Sequence, residues 1–181
     1  MKPAAAKRAS RIRMIVFDVD GVLTDGGIIF DSSGREIKRF DVQDGSGIKY
    51  LMRSGFSVAL ISGRESEAVR ARAKDLGIPY LYEGYKEKLK AYEDLKRVCS
   101  LGDAEIACVG DDLADVPLML ACGLAAAVAN ARPEVKKIAH LVTKSRGGAG
   151  AAREFAEWLL KATGRWDAIL ERYFPKRRSR R

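Results

Sequence analysis

Short apolar runs alternate along the chain with segments in which apolar residues recur at helical spacing. Short apolar runs bounded by turn residues are typical of strands that are buried on both faces of a sheet. Because these runs alternate with helical patterns, we predict an α/β fold with a doubly wound, mostly parallel sheet. The predicted core strands cover residues 15–18, 58–62, 80–82, 106–110, 125–128 and 141–143.

Helical patterns follow these runs, and one connection between them differs from the rest. The predicted helices cover residues 47–54, 65–76, 86–98, 116–121, 133–138 and 149–162, with a short amphipathic helix at 166–173. Between the first strand and its helix, segments 26–30 and 35–42 flank a turn at residues 31–34. Two extended segments around a Ser-Gly turn predict a β-hairpin insertion. No insertion is long enough to form a cap domain.

The composition is that of one globular domain with a substantial core. The chain has 181 residues, of which 47% are hydrophobic and 31% are charged. We expect a basic N-terminal segment at 1–13, the main domain at 14–164, and a C-terminal helix with a basic tail at 165–181. The chain contains neither a bilayer-spanning apolar stretch nor the apolar core of a secretory signal, so we expect a cytoplasmic protein without membrane insertion.

The net charge of +9 is concentrated at the two ends of the chain. Ten basic residues and no acids occupy these ends, so the body carries about −1; the ten are Lys2, Lys7, Arg8, Arg11, Arg13, Lys176, Arg177, Arg178, Arg180 and Arg181. We expect no nucleic-acid partner and interpret the C-terminal tail as disordered and solubilising. A weak, salt-dependent contact of the tail with nucleic acid or anionic lipid is the alternative.

Cysteine and histidine usage excludes several kinds of chemistry. The three cysteines show no CxxC spacing, which argues against a zinc site or a disulfide framework. His140 is the only histidine, and its neighbours indicate neither a general base nor a metal ligand. Serine-type or zinc-dependent hydrolysis is therefore disfavoured.

Two groups of carboxylates follow predicted strands. Asp18 and Asp20 come directly after the apolar run 14–17, and Asp111, Asp112 and Asp115 follow the run 106–110. Since the carboxyl ends of parallel strands meet at one edge of a sheet, these acids should converge. Clustered carboxylates repel one another unless a cation lies between them, and Mg²⁺ prefers oxygen ligands. A solvated acidic turn is the alternative for either group taken alone.

Two further strand or helix ends carry groups suited to phosphate. Ser62, Gly63 and Arg64 follow a predicted strand and lead into a helix, where backbone N–H groups favour anions. An ordinary helix cap explains them equally well. Lys88 lies at a predicted helix start, where the helix dipole disfavours a cation unless an anion lies beside it. A solvated basic face shared with the flanking lysines is the alternative.

Four segments of the chain resemble, in order, the four motifs of the haloacid dehalogenase superfamily of phosphotransferases. They are DVDGVLTD at 18–25, ISGR at 61–64, Lys88, and GDDLAD at 110–115. The resemblance implies a Rossmann-like fold and Mg²⁺ as cofactor. It implies that Asp18 is the nucleophile and forms an aspartyl-phosphate, with Asp20 as general acid and base. The metal would be bound by Asp18, by the backbone carbonyl of Asp20, and by Asp111. Ser62 and Lys88 would hold the phosphoryl group, and Asp112 and Asp115 would orient the metal site.

A narrower resemblance rests on the hairpin and on four more segments: DVQDGSGI at 41–48, Gly84 ahead of Lys88, Val116-Pro117, and Gly147 to Gly150 with Arg153-Glu154. These are similar to the capless phosphatases of 3-deoxy-D-manno-octulosonate (KDO) 8-phosphate. The resemblance implies a sugar-acid phosphate substrate and a homotetramer in which a neighbouring subunit closes each site. It implies substrate contacts at Asp20, Asp41, Val42, Gln43, Asp44, Gly45, Lys49, Arg64, Arg72 and Lys88.

The chain departs from this family pattern at two positions. Gln43 and Ala149 stand where the family often has a basic residue and an arginine, respectively. Affinity or the choice of sugar could therefore differ, and a 9-phosphate of a nine-carbon sialic-type acid is the alternative substrate. A noncatalytic interaction module is the alternative from another class, although the intact carboxylates and Lys88 argue against it.

Overall fold

The computed structural model describes residues 3–174, and the basic tail at 175–181 lies outside them. A six-stranded sheet forms the centre of the fold, and all of its strand pairs are parallel, in the order β5-β4-β1-β6-β7-β8. Its strands are β1 (Met14–Phe17), β4 (Ser57–Ile61), β5 (Tyr80–Tyr82), β6 (Ile106–Gly110), β7 (Leu124–Ala127) and β8 (Leu141–Val142). The doubly wound parallel sheet predicted from the sequence is confirmed.

Helices cover both faces of the sheet. They are α1 (Pro3–Ala9), α2 (Val42–Arg53), α3 (Glu67–Leu76), α4 (Lys88–Cys99), α5 (Val116–Ala121), α6 (Pro133–Ile138), α7 (Ala151–Ala162) and α8 (Trp166–Tyr173). Helix α2 packs against α3 and α7, whereas α5 packs against α4 and α6. The rings of Phe17 in β1 and Phe155 in α7 meet edge to face, 6.0 Å apart, so this helix layer is joined directly to the central strand.

The direction of the chain reverses beside β1. From β1 the chain first builds outward through β4 and β5, and it then crosses back to add β6 on the other side of β1. Asp18 follows β1 and Asp111 follows β6, so both acids lie at the carboxyl ends of adjacent strands. In open α/β sheets this switch point opens a crevice in which ligands bind.

The predicted hairpin is present, but it is shorter than expected. Strands β2 (Ile29–Phe30) and β3 (Glu36–Ile37) form a two-stranded antiparallel pair. The prediction that residues 35–42 are extended and that the next helix starts at Gly47 is wrong, because α2 begins at Val42. The Asp41 carboxylate accepts hydrogen bonds from the amides of Gln43 and Asp44 and caps the helix there.

The start of the described chain belongs to the packed core. Helix α1 contacts α7 and β7, and it buries Ala5 and Ala9 while Ile12 is buried just after it. The sequence pattern does not predict this helix, because its apolar face consists of small residues that are interspersed with basic ones. Within residues 3–174, no helix has both the length and the apolar character needed to cross a membrane.

Candidate active site

Lys88 is the centre of a buried charge cluster at the switch point. Its Nζ lies 2.6 Å from Asp18 Oδ1 and 2.7 Å from Asp115 Oδ1. All three side chains are buried, although Lys86 and Lys90 on either side of Lys88 are exposed. The alternative of a solvated basic face is therefore wrong for Lys88, whose partner anions offset the unfavourable helix dipole.

The carboxylates of this cluster carry more negative charge than one ammonium group neutralises. Burial raises the pKa of Asp18 well above its ordinary value, Asp115 adds to the rise, and Lys88 opposes it. Burial, with the charge of Asp115, raises the pKa of Asp111 to about 7, although Lys88 again opposes the rise. Burial alone would lower the pKa of Lys88, but Asp18 and Asp115 outweigh it and raise this pKa. A bound cation would relieve this excess charge.

The donor set fits the ion that the sequence predicts. One oxygen from each of Asp18, Asp111 and Asp115 lies within 4.8 Å of the other two. Asp111 Oδ1 is buried and has no hydrogen-bond partner among the described residues, as expected for a metal ligand. An all-oxygen set of this kind suits Mg²⁺. The structure does not test the backbone carbonyl of Asp20 as a further ligand, which stays a prediction.

Asp115 holds the second strand end in place. Its Oδ2 accepts hydrogen bonds from the amides of Asp111, at 2.9 Å, and Asp112, at 3.2 Å, while its Oδ1 faces Lys88. This geometry favours the predicted orienting role of Asp115. Asp112 is exposed, and its carboxylate accepts from the amide of Leu113.

The turn after β1 is built to receive Asp111. Three consecutive amides, those of residues 22–24, donate to the carbonyl of Val19 and close the turn. Gly21 has a φ of 93°, in the left-handed region that favours glycine. A Cβ at this position would lie 2.1 Å from Asp111 Oδ2. Gly21 therefore allows the carboxylate from β6 to approach the backbone of the turn that carries the first two acids.

A second loop locks this turn from outside. The amide of Gly148 donates to the carbonyl of Val22 at 3.0 Å. The Asn130 side chain donates to the carbonyl of Gly21 at 3.2 Å and accepts from the amide of Gly147 at 2.6 Å. A Cβ on Gly147 would lie 1.8 Å from the Gly21 carbonyl oxygen. The loop that contains Gly147 and Gly148 is thus in backbone contact with the turn that follows β1.

Seven of the predicted site residues converge on one cavity of about 360 Å³, namely Asp18, Asp20, Ser62, Arg64, Lys88, Asp111 and Asp112. Gly26, Gly63 and Ala114 complete its lining. The buried Ser62 Oγ accepts a hydrogen bond from the amide of Arg64 at 3.1 Å. The cavity therefore joins carboxylates, a hydroxyl and two cations, a set suited to a phosphate ester.

The structure does not bring the other predicted substrate residues to the lining of this cavity. Asp41, Gly45 and Arg72 line a different, small cavity, where Arg72 donates to the Asp41 carbonyl at 3.1 Å. The buried Asp44 carboxylate accepts from the amides of Gly150, at 3.2 Å, and Arg153, at 2.9 Å. Its side chain caps α7 and is directed into the fold. Lys49 is half-buried, and Val42 and Gln43 are exposed on the first turn of α2.

Sequence reasoning missed two residues of the site, Lys38 and Asn130. Lys38 forms an ion pair with Asp20 Oδ1. Asn130 follows β7 at the same sheet edge as the acids, so the strand-end rule could have identified it. Lys38 carries no comparable signal, because the direction of its side chain depends on how the hairpin folds back.

Comparisons with known proteins identify the family to which the chain belongs. A family model for haloacid dehalogenase-like hydrolases matches residues 81–155. The KDO 8-phosphate phosphatase of Yersinia pestis is 44% identical over 156 residues, covering 86% of this chain and 83% of that protein. The Moraxella catarrhalis KDO 8-phosphate phosphatase, in complex with a magnesium ion, a phosphate ion and KDO, superposes with a TM-score of 0.93 at 36% identity, covering 96% of this chain and 99% of that one.

The cobalt-bound phosphatase of Haemophilus influenzae superposes with a TM-score of 0.86 at 41% identity, covering 90% of this chain and 95% of that one. The sheet, the acids at its switch point and these similarities define a phosphatase of the haloacid dehalogenase-like class. A divalent metal at its acidic cluster fits the metal-bound neighbours. More narrowly, the chain belongs to the family of the KDO 8-phosphate phosphatases.

Proposed function

We propose that the protein hydrolyses KDO 8-phosphate in a Mg²⁺-dependent reaction, releasing the free sugar acid and inorganic phosphate for lipopolysaccharide precursor synthesis. The observation that carries the proposal is the buried Asp18 carboxylate, held by Lys88 and facing Asp111 in a cavity at the switch point. The family membership of the chain supports the same substrate.

The chemistry follows from the residues that line the cavity. When bound, Mg²⁺ would neutralise phosphate charge next to Asp18 and Asp111. The Asp18 carboxylate attacks phosphorus while the bond to the sugar oxygen breaks, which forms an aspartyl-phosphate. Asp20 gives a proton to the leaving oxygen and then takes one from the water that attacks phosphorus and releases Asp18. Lys88 and Ser62 hold phosphoryl oxygens, and the Lys88 ammonium reduces repulsion between carboxylate and phosphate.

A substrate panel tests this proposal. With Mg²⁺, kcat/KM for KDO 8-phosphate should exceed that for p-nitrophenyl phosphate by about 100-fold, since contacts to the sugar acid contribute to transition-state binding. EDTA should abolish turnover of both esters, and added Mg²⁺ should restore it. The initial rate of phosphate release is measured for each ester, with and without Mg²⁺. A preference for a nine-carbon sialic-type 9-phosphate would identify that ester as the substrate instead. A preference for the aryl ester would contradict the proposal that the protein is a sugar-acid phosphatase.

The predicted homotetramer would account for several substrate residues that lie away from the cavity. We assign the accessible ones, Arg72, Lys49, Val42 and Gln43, to the site of a neighbouring subunit, since they do not line the acidic cavity of their own chain. Asp44 and Gly45 are buried and are left out of this assignment. The hairpin supports an interface because its apolar side chains are half exposed: Ile28 by 55%, Ile29 by 50%, Phe30 by 60% and Ile37 by 48%. A neighbour packed there would exclude the water that a capless site admits.

Sedimentation velocity should therefore find a tetramer of the 19.9 kDa chain in solution. Phe30→Glu places a charge in the apolar hairpin and should shift the protein to smaller species. Leu120→Glu is the matched control, because Leu120 is a similarly exposed apolar residue, at 66%, that belongs to α5 and not to the hairpin, and it should leave the tetramer intact. A monomeric wild-type protein would refute the assembly.

A further inference from the structure

Lys38 has an unusual position for a hairpin lysine. Its side chain is only 1% exposed, although neighbouring apolar residues of the hairpin, such as Phe30 and Ile37, are half exposed. A buried ammonium group is costly unless anions pair with it. Lys38 has two such anions: its Nζ contacts Asp20 Oδ1 and lies 3.3 Å from Glu36 Oε1.

The charged side chains lie on one side of the hairpin. Glu36 and Lys38 meet there at 3.3 Å, whereas Ile37 between them is half exposed. Glu36 also accepts a hydrogen bond from Arg64 Nη2 at 2.8 Å. A chain of alternating charges therefore runs from Asp20 through Lys38 and Glu36 to Arg64. It ties the hairpin to the residues that follow β1 and β4.

We propose that Lys38 is a positioning residue for Asp20, an inference that rests on the proposed function. An ammonium group can only donate hydrogen bonds, so Asp20 Oδ1 acts as acceptor toward Lys38. A proton carried by Asp20 therefore resides on Oδ2, the oxygen left to serve the ester. During the first step that proton moves from Oδ2 to the leaving sugar oxygen as the bond from that oxygen to phosphorus breaks. The bond between phosphorus and Asp18 forms in the same step.

Glu36 keeps the Lys38 ammonium paired in either protonation state of Asp20. With Asp20 ionised, the two acids and two cations of the chain balance, and when Asp20 carries its proton the Lys38 ammonium still faces the Glu36 carboxylate. The hairpin thereby has two uses, since one face exposes apolar side chains while the other holds the orientation of the proton donor.

This role can be tested with two substrates whose leaving groups differ in whether they need a proton. The sugar ester leaves as an alkoxide and requires protonation, whereas p-nitrophenolate leaves without it. Lys38→Met should lower kcat/KM for KDO 8-phosphate by about 100-fold, because a misplaced donor loses alignment in the step that releases the sugar. For p-nitrophenyl phosphate kcat/KM should fall less than about fivefold, since it does not include the later hydrolysis of the aspartyl-phosphate, in which Asp20 serves both esters. Arg39→Met is the matched control, since the Arg39 side chain is 72% exposed, and it should change neither rate appreciably.

Both esters are assayed on the same preparation, so the ratio of their kcat/KM values does not depend on the fraction of folded protein. Lys38→Gln, which retains a hydrogen-bond donor, is measured in parallel and should fall between wild type and Lys38→Met in this ratio. Equal losses for both esters, or no loss, would overturn the positioning role while leaving the proposed function intact. A wild-type protein that hydrolyses neither ester would overturn both.

Discussion

Replacing Asp18 with asparagine should abolish phosphatase activity and lower kcat by about 10⁴-fold or more. The amide cannot displace the sugar oxygen and form the aspartyl-phosphate, although it has nearly the shape of the carboxylate. The fold should survive, because the change removes one of three clustered negative charges and leaves Lys88 paired with Asp115. Phosphate release measures the first effect, and thermal unfolding in EDTA should show no loss of melting temperature.

Asp25→Asn is the matched control for this variant. Asp25 lies in the same loop, but its side chain is 54% exposed and accepts from the amide of Gly27 instead of lining the cavity. Its activity should stay within about twofold of wild type, as is usual for exposed positions. Wild-type turnover by Asp18→Asn would remove the nucleophile from the proposed mechanism.

Replacing Gly147 with alanine should damage both stability and catalysis. The new methyl group would lie 1.8 Å from the carbonyl oxygen of Gly21 and 3.0 Å from that of Thr24. Both obstacles are backbone atoms, so the turn that carries Asp18 and Asp20 must move. We expect a loss of about 2–4 kcal/mol in the free energy of unfolding and a fall in kcat of about 100-fold. Urea unfolding and steady-state kinetics measure the two effects.

Gly102→Ala provides the comparison for this second variant. A Cβ at Gly102 would meet its nearest neighbour, Glu105 Oε2, at 3.7 Å, which is ordinary contact. Its stability should change by less than about 1 kcal/mol. If Gly147→Ala had the same free energy of unfolding and the same kcat as Gly102→Ala, the loop that contains Gly147 would not constrain the turn that carries Asp18 and Asp20.

The central strands could be predicted because each is buried on both faces and is therefore a short apolar run. The prediction for β6 matched the observed strand, and that for β4 was shifted by one residue. Helix α2 was harder, since its first turns contain polar residues and two glycines that disfavour helices. Tertiary contacts explain it: Asp44 caps α7, and Gly47 allows the backbone of Arg153 to approach closely.

The acidic part of the site was predictable for a different reason. The strand-end rule places Asp18 beside Asp111 once both strands are known, and the structure confirms this proximity. Lys38 was not predictable, because a side chain that reaches Asp20 from a hairpin depends on a register that a two-residue strand barely specifies. Local sequence thus determines where reactive groups emerge, and distant packing determines which neighbours hold them.

The placement of β1 between β4 and β6 has a consequence for folding. The first neighbour of β1 ends at residue 61, whereas its second neighbour ends only at residue 110. Asp111 follows β6 directly, so one segment of the chain completes the pairing of β1 and also brings Asp111 to Asp18. Assembly of the central strands and of the acidic cluster therefore depends on the same long-range contact, whose loop-closure entropy must be overcome first.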